Sequence, residues 1–276
     1  MPLAPTVPLP HGATMPQLGL GTWPMSSAEA ERAVPTAIEA GYRLVDTAYA
    51  YGNEEGVGRG LRASGIPREE LFVTTKLNAE WHGLREVREA FVDSTGKLGV
   101  EYLDLYLIHW PNPGQDRFVD AWRGLCRLLD EKLVRAIGVS NFKPAHLERL
   151  LEATGVAPDV NQIELNPYLA RTEPRAFHAR HAIVTQSYSP IDRGGELLRE
   201  PVVVTAAERL NRTPAQVVLR WHVQQGLTLA VKSSDPARQA ENLAVFDFEL
   251  SEDEMAALSA LDRGEAAATD SDTFGH

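Results

Sequence analysis

Apolar and polar positions follow two rhythms along this chain, and the rhythms take turns. Short apolar runs at 18–22, 42–46, 72–76, 103–109, 134–139, 160–163, 183–187 and 227–231 have the length and composition of buried strands. Between them, apolar residues recur three, four and seven apart, as in Leu84, Val87, Phe91 and Leu98 or Phe118, Trp122, Leu125 and Leu129. That is the period of an amphipathic helix. Helices are predicted over about 28–40, 54–64, 144–153, 173–180, 214–225 and 236–245 as well, with only a short helical piece between the strand at 183–187 and Pro214. Ser27 is the expected N-cap of the first helix and Gly41 its stop, and Ser251 caps a last helix reaching Leu261.

Strict strand-then-helix alternation implies parallel strands, and eight such units imply closure. The expected fold is α/β, a (β/α)8 TIM barrel with an N-terminal hairpin around His11-Gly12 and an extra C-terminal helix. No low-complexity linker or short repeat interrupts it, so 1–276 is read as a single domain.

Composition narrows the function. The chain of 276 residues carries a formal net charge of -11, which argues against a nucleic-acid partner, since that would need a basic face. One cysteine, Cys126, excludes an internal disulfide and fits a reducing compartment; it lies on an apolar helical face and reads as core. Segment 1–10 lacks the pattern of a signal peptide, and no apolar run reaches spanning length. A cytoplasmic protein without a membrane partner is expected.

Three strands end in groups that carry chemistry. Asp46 closes the second strand and Tyr51 follows it; Lys76 and His109 close the next two. In such a barrel the strand C-termini converge on the active site. Any one of the four has an ordinary structural reading; four on one face are harder to dismiss. An ammonium beside a phenol favours the phenolate, so Lys76, held by Asp46, is expected to lower the Tyr51 pKa and make it a proton donor. His109 can orient the oxygen that receives the proton. No GxSxG elbow and no metal-ligand cluster is seen. A carbonyl protonated at oxygen needs a nucleophile at carbon, for which a cofactor hydride is the natural source. Gly19 and Gly21 do not make a dinucleotide loop, because Pro24 breaks the GxGxxG pattern; they read as small residues in a crowded strand or near a ligand.

The segments GYRLVDTAYAYGNEEGVG (41–58), FVTTKL (72–77) and LDLYLIHWP (103–111) resemble the aldo-keto reductase family, and within it the prokaryotic branch containing 2,5-diketo-D-gluconate reductases. The resemblance spans nearly the whole chain. It implies a complete tetrad of Asp46, Tyr51, Lys76 and His109, and NADPH-dependent reduction of a small-molecule carbonyl, a keto-sugar acid included. It also implies Ser140, Asn141 and Gln162 on the nicotinamide amide, Tyr188 stacked on its ring, and a loop from Ser189 to Gly195 over the pyrophosphate. Lys232, Ser233 and Arg238 would hold the 2′-phosphate of NADP, helped by the helix N-terminus near Pro236, with Glu241 and Asn242 near the adenine. Two departures stand out: Ala230-Val231 before Lys232, and Asp192 in the pyrophosphate loop, where a carboxylate would oppose the cofactor. Trp23, Trp81 and Trp110 follow strands and are expected to wall the substrate. The polar tail after Leu261 can reach the pocket.

Two other classes compete with a monomeric reductase: a redox-sensing NADPH-binding subunit with little turnover, and a sugar-phosphate isomerase. The intact tetrad and the absence of a partner-binding extension favour the reductase.

Overall fold

Parallel pairing runs without a break around one sheet. In the computed structural model, which describes residues 3–275, the strands β3 (Leu18–Gly21), β4 (Leu44–Asp46), β5 (Phe72–Leu77), β6 (Leu105–Ile108), β7 (Ile137–Ser140), β8 (Val160–Glu164), β9 (Val184–Tyr188) and β10 (Thr228–Lys232) pair in chain order, and β10 closes on β3. The first two residues of segment 1–10, weighed above as a leader, lie outside the described residues, as does His276. Closure needs close approach on the inner face. A Cβ on Gly19 would come within 2.3 Å of Leu44 Cγ, so this strand position tolerates only glycine without a shift of Leu44. Gly21, by contrast, meets nothing closer than 3.7 Å and faces the large cavity.

Helices wrap the outside: α1 (Ser27–Ala40), α2 (Glu54–Ala63), α3 (Glu86–Leu98), α4 (Phe118–Asp130), α5 (Pro144–Thr154), α6 (Thr172–Arg180), α7 (Pro201–Leu210), α8 (Pro214–Gln224), α9 (Pro236–Leu243) and α10 (Glu252–Ser259). They bury Val34, Val57, Phe91, Trp122, Leu147 and Trp221 among others against the strands' outer faces. The cap of α1 is Ser26 rather than Ser27. Glu29 stands three residues after Ser26, so the pair closes a reciprocal capping box that Ser27 cannot form. Ser251 caps α10 in the same way, as expected. The piece expected before Pro214 is a full helix, α7, begun by Pro201 at its first position.

The barrel's N-terminal end is plugged by a hairpin, β1 (Thr6–Pro8) and β2 (Thr14–Pro16), paired antiparallel. Met15 and Leu9 sink into a cluster with Leu44, Phe72, Leu105 and Leu107. His11 locks it by donating its backbone N–H to buried Asp159 Oδ1 and bonding Oδ2 through Nδ1, both at 2.9 Å. With this end shut, access is from the C-terminal ends of the strands.

Candidate active site

Lys76 points from the end of β5 into the barrel and is fully buried. Its ammonium donates to Asp46 Oδ1 at 2.6 Å, to the Thr47 carbonyl at 2.9 Å and to Tyr51 Oη at 3.4 Å. Three N–H bonds are thus matched to three oxygens, which is what keeps a buried ammonium charged. Asp46 Oδ2 accepts from Gln162 Nε2 at 2.7 Å, and the same nitrogen donates to Gln186 Oε1 at 2.7 Å. The carboxylate is therefore held on both oxygens.

Tyr51 ends a short helical turn between β4 and α2, closed by Gly52 in the left-handed region at φ 65°. Its ring stands edge-on to His109, with centroids 5.6 Å apart, and both line the cavity. His109 directly follows β6, and its carbonyl accepts from Asn141 Nδ2 at 3.1 Å. The four tetrad side chains are thus brought together at one corner, as the strand ends implied.

The Tyr51 pKa departs from the simple expectation. Burial raises it, Lys76 pulls it down and Asp46 pushes it up, and the net direction is upward. Burial outweighs the ammonium. The phenol therefore holds its proton at neutral pH, the state a donor needs. Lys76 itself is shifted up: burial alone would lower it, but the Asp46 carboxylate and the Tyr51 oxygen outweigh burial.

From this corner a cavity of about 1260 Å³ extends across the barrel mouth. Ser140, Asn141, Gln162 and Tyr188 meet on its floor. Asn141 takes φ 64° and accepts at Oδ1 from Tyr188 Oη at 2.9 Å, while Ser140 Oγ donates to the Gln162 carbonyl. Ser189 lines the wall in the left-handed region at φ 49°. In the loop that follows, Ile191, Arg193 and Gly194 face the cavity and Asp192 does not, so the carboxylate expected to oppose the cofactor is turned off the wall. Arg193 instead sets its guanidinium 5.3 Å from the Trp23 ring centroid, at the wall. It shares this region with Glu164, whose half-buried carboxyl is raised by burial against the pull of Arg193 and Arg171.

At the far end Lys232, Ser233, Arg238, Glu241 and Asn242 line the wall. The Arg238 side chain is 74% exposed and reaches Asp235 at 3.9 Å. Here one expectation fails. Asp235 Oδ1 accepts from the Ala237 and Arg238 N–H groups at 2.9 and 3.0 Å, so the first-turn donors of α9 already hold a carboxylate and are not open to a phosphate. Glu241 accepts from Thr213 Oγ1.

Of the three tryptophans, Trp23 and Trp110 are on the cavity wall and Trp81 is not. Trp81 packs edge-on to Tyr49 against the core, which is the packing role its apolar bulk also suits. Thr269 and Phe274 of the tail also line the wall. Phe274 meets Trp110 edge-on at 4.9 Å. The tail is pinned by Lys143, which donates to Asp270 at 2.6 Å and Asp272 at 2.5 Å. A lone aromatic in a polar tail was the available signal for Phe274; nothing local marked Gln186, Glu164 or Arg193.

The donor set suits NADP(H): a hydroxyl and side-chain amides at Ser140, Asn141 and Gln162, an aromatic face at Tyr188, and two cations with a hydroxyl at the far end. A closed (β/α)8 barrel with a Lys-tuned phenol at the mouth of such a cavity defines an oxidoreductase of the NADP(H)-dependent carbonyl-reducing class. The chain belongs to the Aldo/keto reductase family, which it matches over residues 15–263. It is 47% identical over 277 aligned residues to the methylglyoxal reductase DkgA of Yersinia pestis, covering 100% of this chain and 99% of the relative. An aldo-keto reductase of Mycolicibacterium vanbaalenii is 50% identical, covering 98% of this chain and 96% of its own. The crystal structure of a Gox0644 variant in complex with NADPH superposes with a TM-score of 0.94 at 43% identity, covering 100% of both chains. Among the described residues no helix is long and apolar enough to cross a membrane.

Proposed function

We propose that the protein reduces compact aldehydes and ketones, with methylglyoxal and keto-sugar acids the first to test, and that Tyr51 is the proton donor. The observation that carries this is the Lys76 ammonium 3.4 Å from the Tyr51 oxygen at the wall of the cavity. NADPH, when bound, supplies the hydride to the carbonyl carbon. Tyr51 Oη delivers the proton to the carbonyl oxygen. As the phenol loses it, Lys76 stabilises the phenolate, and Asp46 keeps Lys76 charged and aimed. His109 presents its ring to the same oxygen and orients it. A general acid of this kind contributes about 10²–10⁴-fold to turnover.

Ser140, Asn141 and Gln162 are assigned to the nicotinamide amide and Tyr188 with Ser189 to its ring and the adjoining phosphate. Lys232, Ser233 and Arg238 are assigned to the 2′-phosphate, and Glu241 and Asn242 to the adenine. Trp23, Trp110 and Phe274 wall the substrate. One chain carries all of these groups, which supports a single-domain monomer as the working unit. The test is loss of nicotinamide absorbance on mixing NADPH with methylglyoxal, simple aldehydes and a keto-sugar acid. Steady turnover of at least one is expected. Tight NADPH binding with no turnover of any carbonyl would favour a redox-sensing subunit instead.

A further inference from the structure

His222 is buried on α8, behind the barrel wall and off the cavity lining. Both of its ring nitrogens are engaged. Nε2 lies 3.0 Å from the Pro190 carbonyl and Nδ1 lies 3.1 Å from Ser187 Oγ. A carbonyl only accepts, so Nε2 carries the hydrogen; Nδ1 is then the acceptor for the Ser187 hydroxyl. Burial holds the ring well below its ordinary pKa, at about 4, so it is neutral under working conditions.

What this ring bridges gives it a role. Ser187 and Pro190 bracket Tyr188 and Ser189. Tyr188 is fixed at its tip by the bond from its hydroxyl to Asn141 Oδ1. Its base sits at the end of β9, where Ser189 turns the chain through the left-handed region. A non-glycine residue held there needs its flanks fixed from outside. The imidazole does so on both sides of the turn.

We propose that His222 is a positioning residue for the cofactor: its neutral Nε2–H tautomer clamps the Ser187–Pro190 turn and so sets the Tyr188 ring and the start of the 189–195 loop. It touches neither cofactor nor substrate. The proposal rests on the reading of this cavity as an NADP(H) site and adds a residue to it.

The two bonds can be separated. A glutamine amide nitrogen reaches about where Nε2 lies and can still donate to the Pro190 carbonyl. An asparagine amide reaches only about as far as Nδ1 and leaves that buried carbonyl without its donor. His222→Asn is therefore expected to raise the NADPH dissociation constant about tenfold, and His222→Gln to keep it within about threefold of wild type. Both variants lose packing volume and should melt earlier, His222→Asn by more, because it also leaves the buried Pro190 carbonyl unpaired. Fluorescence titration with NADPH and thermal melts of the unliganded proteins give the comparison. Equal weakening of NADPH binding in the two variants, or unchanged binding beside lowered melting temperatures, would reduce His222 to a packing residue.

Heteronuclear NMR of the wild-type imidazole tests the same claim without a substitution. The Nε2–H tautomer is expected, with a protected proton that shifts when NADPH is added. An Nδ1–H tautomer, or ring signals indifferent to NADPH, overturns the proposal. Failure of the wild-type protein itself to bind NADPH would instead overturn the functional reading, and is seen in the first titration.

Discussion

Lys76 Nζ lies 2.6 Å from Asp46 Oδ1, with both side chains shut away from solvent. Removing one partner of such a pair leaves an uncompensated buried charge, which costs about 3–5 kcal/mol, whereas removing both costs much less. Lys76→Met should therefore destabilise the fold by that order in denaturant unfolding, and adding Asp46→Asn should recover most of it. Turnover should stay low in both, since neither retains the ammonium beside Tyr51. A double variant as unstable as Lys76→Met would show that the pair does not share the burial cost in this way.

Cofactor choice is set far from the hydride. NADPH and NADH differ by one phosphate, and Lys232 and Arg238 are the cations on the wall at that end. A charged hydrogen bond contributes roughly 1.5–3 kcal/mol, and the exposure of Arg238 favours the low end. Arg238→Ala should raise the NADPH dissociation constant about tenfold and scarcely move that of NADH. High salt should shrink the difference. Equal weakening of both cofactors would place Arg238 on the adenine or in the fold.

Phe274 of the tail meets Trp110 edge-on at the cavity wall, where both are proposed to bound the substrate. Phe274→Ala is expected to raise KM for bulky aldehydes several-fold while leaving methylglyoxal nearly unchanged, with little effect on melting because Phe274 is 50% exposed. Specificity constants over a size series of aldehydes test this. A uniform loss across the series would mean that the ring does not discriminate by size.

Acid stability follows from buried neutral histidines. Burial lowers His82 and His222 to about 4 and His178 to about 3. The unfolded chain binds protons near pH 6.5 and the folded chain does not, so this stabilisation is complete above pH 6.5 and is lost as pH falls toward 4 and below. Each group accounts for on the order of 3 kcal/mol across that window. Denaturant midpoints should fall steadily from pH 7 to pH 5, and His178→Gln should flatten the fall. A midpoint independent of pH over this range would contradict the assignment.

The barrel and the meeting of Asp46, Tyr51, Lys76 and His109 at its mouth were legible because both are written locally. Strand-length apolar runs alternate with helical ones, and Asp46, Lys76 and His109 each sit where such a run ends. Ser27 is the expected cap of α1 and by residue type is as good as Ser26, although Glu29 three residues after Ser26 marks the capping box that forms. What could not be read is what depends on distant partners. Trp81 and Trp110 follow strands alike, and only packing turns Trp81 onto Tyr49 and Trp110 onto Phe274. Asp192 and Arg193 are adjacent and both left-handed, and only Arg193 lines the cavity, a difference that depends on packing and not on residue order. The sign of the Tyr51 shift likewise depends on how completely the ring is buried, which a neighbour list along the chain does not give.

The proton donor is tested most directly by Tyr51→Phe, which removes the hydroxyl and keeps the ring that faces His109. NADPH binding and carbonyl turnover should be measured on the same preparation, with methylglyoxal as substrate and cofactor saturating. Turnover is expected to fall by about 10²-fold or more with the NADPH dissociation constant nearly unchanged. Near-normal turnover in this variant would contradict that expectation and remove Tyr51 from the acid's role.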